Sequence, residues 1–139
     1  LVDFHEKNYY HSKDDGNAFV CFDFKDKLVQ LSSYSIKSMN NNVHYSHLKN
    51  WTIEVSNDAE TWKVIDRHIN DPILDAPGKV INFNIRKKNI DFYRFVRIHQ
   101  TGNSWDPRSN HNFIGFYFME FFGKLIESEV NELDEEEED

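Results

Sequence analysis

Apolar and polar residues alternate with a period of two along most of the chain. In residues 51–56 the alternation is strict, with three apolar and three polar positions, which is the pattern of a half-buried β-strand. In residues 28–37 the same alternation places Val29 and Leu31 on one face and Tyr34 on the other. Further segments predict short strands as well: 19–24, 61–65, 81–85, 92–99 and 113–122.

Short runs of turn-forming residues separate these segments. Asn57–Glu60 joins two predicted strands so closely that it indicates a hairpin, in which Trp62 is expected to pack across from Trp51. Asp71-Pro72 and Ala76-Pro77-Gly78 mark an irregular connection. No window of eleven or more residues has a helical period with caps. The pattern therefore predicts an all-β fold, an antiparallel sandwich or barrel.

Five separated pieces, taken in order, resemble one known family. The chain is similar to the discoidin domain, also called the coagulation factor V/VIII type C domain, over about Asp3 to Lys124, and most similar to intracellular versions in multidomain proteins. The resemblance implies a galactose-binding-like β-sandwich jelly roll, here without its opening strand. The pieces are residues 34–38, 48–58, 61–66, 93–98 and 116–123.

The charge of the chain is concentrated at its end. Of the 24 acidic residues nine lie in 127–139, which holds no basic residue, so residues 1–126 carry 15 acids against 16 bases. We therefore divide the chain into a domain at 1–126 and an acidic, disordered tail at 127–139, which either keeps the chain soluble or attracts a basic partner. The near-neutral domain argues against nucleic acid as the partner. The absence of long apolar runs argues against a membrane.

The inventory of reactive residues indicates no enzyme. Cys21 is the single cysteine, in an apolar stretch typical of a buried thiol, and it excludes an internal disulfide. The absence of bridges favours an intracellular, cytoplasmic location. His44 and His47 are three residues apart, but the polar, Asn-rich segment around them does not complete a zinc site. We expect no metal, no cofactor and no catalysis, and a hydrolytic enzyme is the weakest of three readings.

The residues suited to recognition lie in two groups. Residues 101–112 form a long polar loop between two apolar segments, with an aromatic ring, amides and cations that suit a sugar or a protein surface. A second group lies near the beginning of the chain. Folding of the loop tryptophan back onto the sandwich, and plain packing of the second group, are the structural alternatives. The predicted ligand-binding residues are Asn103, Trp105, Arg108, Asn110, His111, Tyr9, Tyr10 and His11.

These observations predict a non-catalytic binding module within a larger intracellular protein. The loops would be presented to a protein partner by a rigid scaffold. Lectin-like binding of galactose-type glycans is the alternative, because the resembled family binds its ligands at loops on one end of the sandwich. Arg97, which lies between two apolar residues of a strand, is expected to play a structural role against a loop carbonyl or a carboxylate, with ligand contact as the alternative.

Overall fold

The computed structural model describes residues 9–11, 18–40, 47–87, 91–107 and 114–128. Within these ranges the chain forms eight strands and one 3₁₀ turn, Pro72–Leu74. The strands are β1 (Tyr9–His11), β2 (Phe19–Asp23), β3 (Lys27–Lys37), β4 (Trp51–Ser56), β5 (Lys63–His68), β6 (Val80–Asn84), β7 (Phe95–Gln100) and β8 (Phe118–Glu127).

The strands form two antiparallel sheets packed face to face. One sheet has the order β1-β2-β7-β4-β5 and the other the order β6-β3-β8. The core between them holds aliphatic and aromatic side chains from both sheets, with the rings of Phe22 and Phe121 5.0 Å apart edge to face. The all-β antiparallel fold predicted from the alternation is confirmed, and it is the sandwich that the resemblance implies.

Strand β4, which lies between β7 and β5, is buried on both faces, whereas its alternation predicts one solvated face. Trp51, Ile53 and Val55 point into the core and are at most 1 % exposed. Glu54 and Thr52, on the opposite face, are only 5 % and 1 % exposed. The prediction of a half-buried strand is therefore wrong, because neighbouring side chains on this face close over the polar residues.

A β-bulge in β3 overturns the alternation predicted for residues 28–37. Val29 and Leu31 face the core, and strict alternation would turn Tyr34 away from it. Pairing with β8 shifts by one residue between Leu31 and Ser33, so Tyr34 also enters the core and is 0 % exposed. An extra residue in one strand of a pair re-aims every side chain beyond it.

The hairpin formed by β4 and β5 has a different aromatic pairing from the one predicted. Trp51 is paired with His68 at the open end of the hairpin, and their rings stack 4.3 Å apart. Trp62 lies next to the turn and contacts Phe95 instead. The prediction that the two tryptophans face each other is wrong, because residues at the two ends of an antiparallel hairpin cannot meet.

Strand β8 continues to Glu127, the residue at which the sequence division begins the tail. The Glu127 carboxylate contacts the Lys27 ammonium, and the Ser128 amide donates to the carbonyl of Asp26 at 2.9 Å. The sheet therefore extends past the predicted boundary by a residue. Residues 129–139 lie outside the described residues, and the tail assignment stays a prediction there.

Three connections meet at one end of the sandwich. They are the β3–β4, β5–β6 and β7–β8 segments, and we call their described residues the loop end: 38–40, 47–50, 69–79, 101–107 and 114–117. The short β2–β3 and β4–β5 turns lie at the opposite end. This separation follows from antiparallel pairing, since alternate connections of each sheet return to the same side.

Candidate functional site

The sheet registers bring the described parts of the two predicted groups of binding residues toward the same end of the sandwich. The first part of the predicted loop, residues 101–107, follows directly from the end of β7. In β1, His11 pairs with Phe19, which in turn pairs with His99 near the end of β7. The two groups are about 90 residues apart in sequence, and antiparallel pairing places His11, through Phe19, level with His99 at the end of β7 that precedes the loop.

Only part of the predicted site lies within the described residues. Asn103 and Trp105 belong to the described loop, and Tyr9, Tyr10 and His11 form β1, where the structure describes the backbone alone. The other three predicted residues, Arg108, Asn110 and His111, lie outside the described residues, and their role stays a prediction.

Trp105 packs back onto the loop end. Its indole Nε1 donates to the carbonyl of Asp71 at 3.2 Å, and its backbone amide donates to the carbonyl of His47 at 3.0 Å. The ammonium of Lys49 lies 4.6 Å from the centre of the indole ring. Trp105 therefore links all three connections of the loop end, and its ring already makes a cation–π contact with Lys49.

Asn50 joins the same connections through both ends of its amide. Its Oδ1 accepts from the backbone of Asn70 at 2.9 Å, and its Nδ2 donates to the carbonyl of Asn103 at 3.0 Å. A Cβ on Gly102 would lie 3.3 Å from the Asn50 side chain, so the loop can pass this closely because the residue there is glycine. Asn103 itself is exposed. The loop is thus held in place while the Asn103 side chain faces solvent.

His68 stands between two carboxylates behind these loops. Its Nε2 lies 3.0 Å from Oδ2 of Asp66 and its Nδ1 lies 2.8 Å from Oδ2 of Asp71. An ionised carboxylate only accepts hydrogen bonds, so both imidazole nitrogens donate and the ring carries a positive charge. Burial opposes that charge, but the bonds to Asp66 and Asp71 outweigh it and hold the pKa of His68 above its ordinary value.

A chain of hydrogen bonds connects this imidazolium to the core and to the loop end. On the core side, Trp51 Nε1 donates to the Tyr34 hydroxyl at 3.1 Å, and that hydroxyl donates to Asp66. On the loop side, Oδ1 of Asp71 accepts from the amide of Ile73 at 3.0 Å and caps the 3₁₀ turn. The charge of His68 therefore contributes to the position of the residues that hold Trp105.

Two buried side chains of this region have polar atoms without a hydrogen-bond partner. They are the amide of Gln100, 0 % exposed, and Nε2 of His47, 1 % exposed. The other nitrogen of His47, Nδ1, lies 3.1 Å from Oδ1 of Asp75. Gln100 follows Val96 and Ile98 on the core-facing side of β7, at the end next to the loops. Unpaired buried polar atoms are costly, so the sandwich carries unused hydrogen-bonding capacity here.

A second charged cluster lies on the outer face of the five-stranded sheet. Oε1 of Glu54 accepts from Arg97 at 2.7–2.8 Å, and Oε2 accepts from Thr52 at 2.6 Å and from His99 at 3.1 Å. Burial raises the pKa of Glu54, but these bonds outweigh it and lower the value to about 2. The guanidinium lies 4.0 Å from the ring centre of Trp62. Arg97 thus binds a carboxylate, which comes from a strand and not from a loop.

The charged groups of the described residues are arranged so that they can bind a ligand and hold the loops and strands in position. No group of three or more histidine, cysteine, aspartate or glutamate side chains among them is placed to hold a metal ion. No helix within those residues is long and apolar enough to cross a membrane. Sequence reasoning did not predict the contacts of five residues: Asn50, His47, His68, Gln100 and Glu54. The only available signal is that polar residues occur at the ends of apolar strands, and no local motif identifies these five.

Comparison with known proteins relates the chain to small parts of much larger ones. No family model matches it. The chain is 28% identical over 117 residues to E3 ubiquitin-protein ligase hecd-1 of Caenorhabditis elegans and 26% identical over 118 residues to E3 ubiquitin-protein ligase Ufd4 of Drosophila melanogaster. Each match covers 84% of this chain and 4% of the relative. The chain therefore corresponds to one module within these proteins.

Solved structures with the same fold include carbohydrate-binding modules. The family 32 module of Streptococcus pneumoniae EndoD has a TM-score of 0.58 at 11% identity, covering 83% of this chain and 75% of that one. A fucose-binding module of the same organism has 0.55 at 10%, covering 81% and 67%. CpGH89CBM32-6 of Clostridium perfringens has 0.53 at 23%, covering 79% and 71%. The chain has the galactose-binding-like β-sandwich fold of these modules.

Proposed function

We propose that this chain is a non-catalytic, discoidin-like module that presents its loop end to a protein partner inside a larger intracellular protein. The observation that carries the proposal is the fixed position of residues 101–107. Trp105 and Asn50 bind this loop to both other connections, so the exposed Asn103 is held by a rigid scaffold. A loop ordered before binding loses less conformational entropy when it meets a partner. The two ubiquitin ligase relatives support a place within a multidomain protein.

The use of Trp105 favours a protein partner over a sugar. A lectin site commonly offers an open aromatic face against which the C–H groups of a sugar ring can pack. Here Lys49 lies over the indole and the indole N–H is bonded to Asp71. The lysine ammonium and the exposed Asn103 amide instead offer the charged and polar contacts common at the rim of a protein interface.

Binding of a galactose-type glycan is the second candidate. The unpartnered amide of Gln100 and Nε2 of His47 are the kind of buried polar atoms that sugar hydroxyls satisfy, and the structural neighbours are carbohydrate-binding modules. Against it, both side chains are almost completely buried, and a ligand would reach them only through the loops above.

A matched pair of surface variants tests the two candidates. Asn103→Arg places a large charged side chain on the loop end, and Glu60→Arg places the same side chain on the opposite end. Proteins crosslinked to the tagged full-length protein in cells are compared by quantitative mass spectrometry, and the purified chain is applied to a glycan array. We expect partners that Asn103→Arg loses at least about tenfold and Glu60→Arg retains.

The outcomes separate cleanly. Saturable binding to one glycan class that Asn103→Arg abolishes and Glu60→Arg keeps would replace the protein proposal by the glycan one. Equal partner sets for the two variants and the unaltered protein, with no glycan bound, would overturn both. Circular dichroism of each variant confirms that the sandwich is intact before either result is used.

A further inference from the structure

Strand β8 is the outermost described strand of the three-stranded sheet. It is ten residues long and pairs along one side with β3. No described strand pairs with its other side. The backbone amide and carbonyl groups of such an edge point outward and provide a template for another strand.

The side chains of β8 alternate between the core and the outer face. Met119 and Phe121 point into the core and are 7 % and 0 % exposed. The even-numbered residues lie on the outer face, and Ile126 at their end is 43 % exposed. This outer row reads apolar, acidic, apolar, basic, apolar: Phe118, Glu120, Phe122, Lys124 and Ile126.

The outer row is complementary to itself when it is reversed. If two β8 strands run antiparallel and are centred on Phe122, Glu120 of each strand lies opposite Lys124 of the other. Phe118 then lies opposite Ile126, so apolar residues meet apolar ones as well. A shift by two residues places both charges opposite apolar side chains, and parallel pairing places Glu120 opposite Glu120. Opposite charges across a strand pair stabilise it, and like charges destabilise it.

Both charges of this row are available for such a contact. The structure gives Glu120 and Lys124 no ion pair or side-chain hydrogen bond with any described residue. Their cross-strand neighbours in β3, Ser35 and Gln30, are uncharged. We therefore propose that β8 is a dimerisation edge, at which two copies of this chain pair antiparallel about Phe122 and join their three-stranded sheets into one of six strands. This proposal is independent of the function of the loop end.

Charge reversal tests the proposed pairing, with the purified 139-residue chain and sedimentation velocity over a range of concentrations. We expect the unaltered chain to form a dimer. Glu120→Lys alone and Lys124→Glu alone each place two like-charged pairs in the interface, and each is expected to raise the dimer dissociation constant about tenfold or more. Glu60→Lys, an equal change of charge in the β4–β5 turn, is the control and is expected to leave it unchanged.

Two complementary combinations distinguish pairing from damage to the fold. The double variant Glu120→Lys/Lys124→Glu restores both ion pairs, and an equimolar mixture of the two single variants forms them between unlike copies. Both are expected to recover the dimer. Two variants with damaged strands would not rescue each other when mixed.

The register has its own test. Phe122→Cys places a thiol at the centre of the proposed pairing, so mild oxidation is expected to link two copies through it, whereas Glu60→Cys is expected to give no such link. A chain that is monomeric at all concentrations would overturn the proposal. So would a dimer that neither single charge reversal weakens, or one that is crosslinked equally by both cysteine variants.

Discussion

The outward faces of the two sheets differ in how their polar and charged side chains are paired. In the five-stranded sheet, Glu54 binds Arg97 and His99, and Trp62 lies over the guanidinium, so the polar side of β4 is buried. In the three-stranded sheet the corresponding face carries Ser35, Asn82 and the outer row of β8, and no cluster of paired charges among the described residues covers them.

The difference shows on which sheet the outward-facing charged groups are already paired within the chain. A charge cluster that satisfies its own members needs nothing further from outside the sheet. An outward row with exposed apolar and unpaired charged groups retains contacts that only another molecule can supply. The following predictions test the two sheets and the loop end, beginning with the largest expected effect.

Gly123→Ala is expected to damage the three-stranded sheet most. Gly123 lies opposite the bulge in β3, and a Cβ added there would be 2.1 Å from the carbonyl oxygen of Gln30. Backbone must move to relieve this contact, so we expect a loss of about 3 kcal/mol or more in the free energy of unfolding. Urea denaturation measures it, and a loss below about 1 kcal/mol would show that the bulge adjusts freely.

Arg97→Met tests the closed face of the five-stranded sheet. The thioether chain keeps much of the apolar volume but leaves Glu54 without its main cation. Because His99 and Thr52 still donate to the carboxylate, we expect a loss of about 2–3 kcal/mol, below that for a fully unpaired buried charge. The double variant Arg97→Met/Glu54→Gln is expected to recover part of this loss. If the double variant is less stable than the single one, charge burial is not the cause.

The pH dependence of unfolding tests the cluster at the loop end. Because the pKa of His68 is raised in the folded protein, its stabilisation is complete below the unfolded value of about 6.5 and is lost as the pH rises through the folded value. Between pH 6 and pH 9 the free energy of unfolding is therefore expected to fall more in the unaltered chain than in His68→Gln, as measured by urea denaturation at a series of pH values. Parallel profiles of the two proteins would mean that folding does not raise the pKa of His68.

Asn50→Ala is expected to have the smallest global effect. Its partners, the amide of Asn70 and the carbonyl of Asn103, lie in exposed segments, so water replaces the lost bonds and the free energy of unfolding changes by less than about 1 kcal/mol. The loops lose their link nevertheless, so hydrogen exchange should accelerate in residues 69–71 and 101–105. Unchanged exchange there, with Thr52→Ser as the reference variant, would contradict the role of Asn50.

The strands could be predicted from the sequence because a two-residue period is a local signal. The order of the sheets could be inferred only through the resemblance to a known family. The orientation of Tyr34 could not be predicted from the sequence, because the bulge depends on pairing with β8, about 90 residues away. The face of β4 was misjudged for a related reason: Glu54 is buried by groups of other strands, whose proximity no local pattern shows.

The loop predicted to bind a ligand could be located from the sequence, whereas the contacts that hold it could not, and its role in binding stays a prediction. A long polar loop between apolar strands points to recognition, and Trp105 and Asn103 do lie at the loop end. Yet the side chains that hold them, Asn50 and His68, are ordinary residues at strand ends. Their function depends on three connections meeting, which is a property of the folded chain.

The stacking of Trp51 on His68 gives the protein an optical reporter of its own. The indole is fully buried and lies nearly parallel to the imidazolium, at 13°. A protonated imidazole accepts an electron from an excited indole and quenches its emission, whereas the neutral ring does so poorly. Tryptophan fluorescence should consequently brighten as His68 releases its proton, and should follow the protonation state of the loop end without any attached dye.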